Sequence, residues 1–132
     1  MTAAIREGDA TSTGGRVLQT SGTQVWRERR LARMGDPVWC GACGTVGFIA
    51  QGNPTFIDEV LAVATEGQAV RCGCPEGEHR LIASQDQLRA DMQATIEIPK
   101  DQARKARKRA KKIAALLSSD RPPTAAARSD TA

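Results

Sequence analysis

Ala32-Arg33-Met34-Gly35-Asp36-Pro37-Val38-Trp39-Cys40-Gly41-Ala42-Cys43 is the stretch that decides the fold of this 132-residue chain. Its Gly-Asp pair supplies what a tight turn requires, a residue that accepts positive φ and a side chain that bonds the nearby backbone. Two cysteines, Cys40 and Cys43, follow that turn. Outward from this stretch the same unit recurs. Thr23 to Gly35 lies over Thr55 to Gly67 at an offset of 32 residues, with Thr, Ala and Gly identical, Val25 over Ile57 and Leu31 over Val63. A fragment opens the chain, where Ala4-Ile5-Arg6-Glu7-Gly8-Asp9 matches Leu31-Ala32-Arg33-Met34-Gly35-Asp36 and, more loosely, Val63-Ala64-Thr65-Glu66-Gly67-Gln68. A second shared phrase follows each glycine, a small-residue turn into a β-branched strand: Gly15-Arg-Val-Leu-Gln-Thr-Ser21, Val46-Gly-Phe-Ile-Ala-Gln-Gly52 and His79-Arg-Leu-Ile-Ala-Ser-Gln85. Residues 1–88 therefore read as three turns of one unit, each a pair of short strands. Wound about one axis, they would pool small aliphatic strips that none could bury alone. An ordinary five-stranded sheet with coincidental similarity is the alternative.

Length and composition bound a single small domain with an aliphatic core. The chain is 40% hydrophobic but only 3% aromatic, so Val, Ile, Leu and Ala must fill the core, and a deep aromatic-lined ligand pocket is disfavoured. The longest apolar run, Val60 to Ala64, falls far short of the ~20 residues of a membrane-spanning helix. Nothing in the opening nine residues resembles the apolar core of a signal peptide, so the expected starting compartment is the reducing cytoplasm. There, four cysteines favour metal over disulfide.

Charge divides the chain. Residues 1–98 carry 9 basic and 12 acidic side chains, and residues 99–132 carry 10 basic and 3 acidic ones. Beyond Gln85, Asp86 is expected to cap a short helix to about Gln93, Ile96-Glu97-Ile98 to form a strand, and Pro99 to end it. From Asp101 to Leu117 strong helix formers dominate, with Ala103, Ala106, Ala110, Ile113 and Leu117 on one stripe. Alanine methyls contribute only about 0.8 kcal/mol each, so this helix is expected to project or dock rather than to complete the core. The expected divisions are a β body at 1–88, a linker at 89–99, a basic helix at 100–117 and a disordered tail at 118–132.

Cys40-Gly-Ala-Cys43 and Cys72-Gly-Cys74 follow the second and third turns of the repeat, so closing the repeats would bring them together. Four thiolates of this kind suit Zn(II). Cys-x-Cys is the less typical half, because its thiolates must fold back around a tight turn, and His79 competes with Cys74 for the fourth place. Buried thiols or an oxidised pair are the alternative. Four protein ligands close a coordination shell, so the ion would be structural; Glu76 and Glu78 read as solvated loop residues rather than as a catalytic acid or base. Structural zinc can add ~10 to 16 kcal/mol of apparent binding energy to folding.

Taken together, these phrases resemble the PAAR-repeat family, the cone-shaped tip proteins of type VI secretion spikes. The family's Ala-Arg-x-Gly-Asp phrase stands intact at Ala32 to Asp36, shortened at Ile5 to Asp9, and degenerate at Ala64 to Gln68. Its Gly-Gly-x-Val-Leu phrase stands at Gly14 to Leu18, its Gly-Asp-x-Val-x-Cys-x-x-Cys phrase at Gly35 to Cys43, and its closing segment at Cys72-Gly73 and Leu81-Ile82-Ala83. The likeness covers residues 3 to about 88. It implies a small cone with a metal ion near the apex, one copy capping the trimeric spike protein VgrG, sharpening it for transient contact with a target membrane. Export with the spike would explain a secreted destination without a signal peptide. One departure stands out: Thr13 occupies a position where the family often places a ligating histidine or cysteine. A threonine hydroxyl is a poor zinc ligand, so Cys74 or His79 must replace it.

Lys100, Arg104, Lys105, Arg107, Lys108, Arg109, Lys111 and Lys112 are eight cations in thirteen residues. Within the spike reading they recruit an acidic adaptor or effector, the alanine stripe allowing close approach. The rival reading is a zinc-stabilised nucleic-acid binder with a basic arm. The absence of aromatics from that stretch and the acidic body weigh against it. No serine–histidine–acid constellation and no phosphate-binding glycine motif is present, so no enzyme activity is expected.

Overall fold

Three main-chain hydrogen bonds join three distant segments head to tail. Ile5 N–H donates to the Ala64 carbonyl (2.9 Å), Ala64 N–H to Ala32 (2.9 Å), and Ala32 N–H to Ile5 (2.9 Å). All three residues are fully buried, and the neighbours Ala4, Leu31 and Val63 form a buried cluster of their own. The computed structural model describes residues 2–42, 44–75 and 78–120. Cys43, Glu76 and residues 121–132 of the tail expected at 118–132 lie outside them, while residues 118–120 of that tail belong to the C-terminal helix.

In chain order the described strands are β1 (Thr2–Ala3), β2 (Arg16–Val17), β3 (Val25–Trp26), β4 (Arg29–Arg30), β5 (Pro37–Cys40), β6 (Thr45–Ile49), β7 (Gln51–Asp58), β8 (Leu61–Val63), β9 (Val70–Arg71), β10 (Arg89–Ala90) and β11 (Ile96–Glu97). One helix, α1 (Lys100–Asp120), follows. The largest sheet has the order β2-β5-β6-β9; β11-β7-β8, β3-β4 and β1-β10 complete the described strands. The molecule is thus mostly β with one C-terminal helix.

The Gly turns explain why such short strands hold. Gly8 (φ 90°), Gly35 (φ 97°) and Gly67 (φ 88°) adopt the left-handed conformation that glycine takes without a Cβ clash. Their N–H groups donate to Val17, Ile49 and Leu81 at 2.9, 2.8 and 2.8 Å. The residue after each glycine reaches back to the main chain. Asp9 Oδ2 accepts from Arg6 N–H (2.8 Å), Asp36 Oδ2 from Arg33 N–H (2.7 Å), and Gln68 Oε1 from Thr65 N–H (2.9 Å). The degenerate third phrase therefore keeps its bond, because a glutamine carbonyl can accept where a carboxylate would. Its NH2 adds bonds to Ala94 O and Thr95 Oγ1, both 3.2 Å. One alignment shifts by a residue: the partner of Gly35 is Ile49, not Phe48, which the sequence phrases set beside Val17 and Leu81. Ile49 is the side chain that enters the central core with Ile5, Val17, Val38, Val70 and Leu81.

Phe48 points to the other face and meets α1. Met34, Phe48, Ala50 and Ile98 pack with Ala103 and Ala106, and Ala110 is buried as well. The alanine stripe is thus spent on the body, where its small side chains let the helix lie close. A main-chain bond from Ala103 N–H to Pro99 O (2.8 Å) starts α1, and Ile98 N–H donates to Ala50 O (2.9 Å), which anchors that start. Arg109 Nη2 donates to Gly35 O (3.0 Å) and lies 3.5 Å from Asp36 Oδ1, so the helix also clamps the second Gly turn. Burial raises the Asp36 pKa, against the opposing pull of Arg33 N–H, Ser21 and the Arg109 charge.

The short helix expected from Asp86 to Gln93 does not form. Gln85 Oε1 accepts from Gln87 and Leu88 N–H (2.8 and 2.7 Å), turning the chain so that β10 pairs with β1. The strand expected at Ile96 is β11, paired with β7.

Two predictions follow from this packing. Ala106→Asp sets a carboxylate into an apolar contact and should cost about 1–3 kcal/mol by urea unfolding, whereas Arg104→Asp on the exposed face should stay within about 0.5 kcal/mol. Asp58 is buried, which by itself would raise its pKa. Its bonds from Thr23 Oγ1, Thr23 N–H (2.8 Å) and Gln24 N–H (3.3 Å), with the Arg33 charge, hold it below the ordinary carboxylate value instead. A folded-state pKa depressed in this way adds stability above the unfolded value that is lost as pH falls through the folded one. Urea midpoints from pH 6 down to pH 2 should therefore fall more steeply for the wild type than for Asp58→Asn.

Candidate metal centre

Hairpin register places Cys40 at the end of β5, across from Thr45 of β6. The intervening turn closes through Gly44 N–H to Cys40 O (2.9 Å), with Gly44 at φ 66°. On the other edge of β6, β9 runs antiparallel, Phe48 opposite Arg71 and Ile49 opposite Val70. The next step of that register sets Cys72 against Gly47. A Cβ on Gly47 would stand 2.2 Å from Arg71 O and 2.7 Å from Cys72 Cβ, so only glycine leaves the space. The chain then turns through Cys74 and returns with His79, whose carbonyl accepts from Val70 N–H (3.1 Å).

These elements bring Cys40, Cys72, Cys74 and His79 together, one potential ligand atom from each lying within 4.8 Å of the other three. Cys40 Sγ is 3.8 Å from Cys74 Sγ and 3.5 Å from His79 Nε2. That sulfur–sulfur separation is well beyond the about 2.05 Å of a disulfide. His79 and Cys40 are buried, Cys72 and Cys74 half-buried. Three soft thiol ligands and one imidazole in a closed group could hold a metal ion.

Sequence reasoning offered one remaining place to either Cys74 or His79, and the structure brings in both. Cys43 lies outside the described residues. Glu78 is exposed. Thr13, treated in the sequence only as a lost ligand, hydrogen-bonds through Oγ1 to His79 Nδ1. The sequence marks Gly14 and Gly15 as a turn phrase, and the structure adds that glycines here let backbones meet. A Cβ on Gly15 would stand 2.2 Å from Trp39 O and 2.7 Å from Thr11 Oγ1, and one on Gly41 would stand 2.8 Å from Gly14 O. The Gly-Gly pair at 14–15 was the available signal, since adjacent glycines often mark close backbone approach.

The eight cations of α1 divide by role. Arg109 holds the Gly35 turn, and Arg107 lies over the Phe48 ring at 5.7 Å, with Arg71 at the same distance. Lys100, Arg104, Lys105, Lys108, Lys111 and Lys112 are exposed. α1 extends to Asp120, three residues past the expected end at Leu117, so Lys111 and Lys112 lie mid-helix. Among the described residues no helix is long and apolar enough to cross a membrane.

Gly15→Ala should force the 11–15 loop off β5, lowering stability by about 1–3 kcal/mol as over-packing does and weakening metal binding in the same variant. Thermal unfolding with and without added metal checks both.

Comparison with known proteins adds one match. The family model described as the PAAR motif aligns with residues 7–75, more than half of the chain. No curated protein and no solved structure matches significantly. The matched span contains all three Gly turns, Cys40, Cys72 and Cys74, and it is on this footing that the chain belongs to the PAAR-motif family.

Proposed function

We propose that this protein is the tip of a type VI secretion spike, a zinc-stiffened cone whose base caps the trimeric VgrG protein, one copy per trimer. The observation that carries the proposal is the ring of bonds linking Ile5, Ala64 and Ala32, with matching Gly turns around it. Three chain segments related in this way suit a partner built from three identical subunits, since each can meet an equivalent surface. Membership of the PAAR-motif family supports the same reading. The role is structural: short strands, tight turns and a cross-linking ion make a body that resists deformation, and the charge of α1 is carried on its surface.

Cys40, Cys72, Cys74 and His79 would hold the zinc. An ion with Zn–S bonds of about 2.3 Å and a Zn–N bond of about 2.0–2.1 Å sets neighbouring sulfurs about 3.8 Å apart, and a sulfur and nitrogen about 3.6 Å apart. The corresponding separations from Cys40 are 3.8 and 3.5 Å. When bound, zinc supplies a closed cross-link between β5, the turn after β9 and the return at His79. Four donors fill its shell, so Cys43→Ser should keep one zinc per chain while Cys40→Ser loses it. Loss in Cys43→Ser would instead place Cys43 in the shell.

The exposed cations of α1 would recruit an acidic adaptor or effector for export with the spike. Because the alanine stripe is buried, the partner meets charge rather than a close-packed helix face. Replacing Lys105, Lys108 and Lys112 by glutamate should abolish co-purification of cargo and leave capping intact.

Native mass spectrometry of the chain co-expressed with its host's trimeric spike protein tests the whole reading. One copy per trimer carrying one zinc is expected. A free monomer that ignores the trimer would reject it, and a steep salt-dependent affinity for nucleic acid in that monomer would favour the rival reading.

A further inference from the structure

We infer that Thr13 is the positioning residue of the metal centre: it accepts a hydrogen bond from Nδ1–H of His79 and so commits Nε2 as the nitrogen that meets the ion. The inference rests on the reading of Cys40, Cys72, Cys74 and His79 as a metal site.

Register brings the two residues together. Thr11 bridges antiparallel to Leu81, Ser12 N–H donates to Arg80 O (2.8 Å), and Arg80 N–H donates to Ser12 Oγ (3.1 Å). One further step of the same pairing sets Thr13 across from His79, where Thr13 Oγ1 meets Nδ1. The loop that carries Thr13 is fixed on its other side. Gly15 N–H donates to Thr11 Oγ1 (2.8 Å), Gly14 turns at φ 85°, and the main chain of Thr13 and Gly14 rests on Gly41, where no side chain would fit.

His79 is only 2% exposed, so its ring is shut off from bulk solvent. A neutral imidazole offers one N–H and one lone pair, and the two nitrogens face different groups here. Nε2 lies 3.5 Å from Cys40 Sγ, inside the ligand cluster, while Nδ1 faces the Thr13 oxygen. Only the tautomer with the proton on Nδ1 leaves the Nε2 lone pair for the ion. A partner of this kind fixes the ring and raises ligand basicity, and its loss typically costs 10–100-fold in metal affinity.

The test uses the full chain and Zn(II) alone. Affinity is measured by competition with a chromophoric chelator for wild type, Thr13→Ser and Thr13→Val, and the His79 ring tautomer is read by long-range 15N NMR of the zinc-loaded wild type. Thr13→Ser should match wild type, Thr13→Val should bind about 10–100-fold more weakly, and the wild-type ring should carry its proton on Nδ1. Wild-type affinity in a folded Thr13→Val variant would overturn the inference and leave the metal reading standing. So would zinc on Nδ1 in the wild type, a readout that holds even if the valine variant does not fold. A folded wild type that takes up no zinc would reject the metal reading itself.

Discussion

The need to pair every buried main-chain group governs this molecule. Apart from β5 to β8, its strands are two residues long, too short to satisfy their own N–H and C=O groups as an independent sheet. Ile5, Ala32 and Ala64 solve the problem by bonding to one another in a closed ring that has no edge. The hydrophobic effect then acts on what the ring brings inward, the strip of Ile5, Val17, Val38, Ile49, Val70 and Leu81.

Everything at the candidate metal centre depends on how closely backbones approach. Cys72 reaches the cluster because Gly47 has no side chain, and the Thr13 loop lies against β5 because Gly15 and Gly41 have none. The candidate ligands themselves are chemically ordinary. What is specific is that three glycines, on three different segments, each leave a gap of about one methyl group. α1 follows the same logic from the opposite direction, since alanines let it lie against Phe48 and place Arg109 over the Gly35 turn.

The β body, the C-terminal helix and the convergence of Cys40 with Cys72 and Cys74 were legible in the sequence, because turn glycines and cysteine spacing are local signals. The role of Gln68 was not: its phrase had lost the Asp, and only the geometry reveals that an amide oxygen makes the same bond. The docking of α1 was open for a related reason. An alanine stripe gives a weak apolar signal, and the contact depends on Met34, Phe48, Ala50 and Ile98, which come from distant segments. The turn at 85–88 was misread as the start of a helix because Asp86 looks like a cap, while the residue that acts is Gln85. His79 was weighed as a ligand, but its pairing with Thr13 depends on a register between segments 66 residues apart.

The closed ring also has a consequence in time. It joins residues 5, 32 and 64, and the ligand cluster joins 40 with 79, so neither can form from neighbouring sequence. Each requires long loops to close before any bond rewards the loss of chain entropy. Proteins whose contacts are non-local in this way fold roughly in milliseconds to seconds, well behind helical domains of the same size. α1, built from local bonds, can form early, yet the apolar site it docks on does not exist until the strands have met. Assembly is therefore gated by loop closure: the helix waits for its seat, and rigidity arrives in one late, cooperative step.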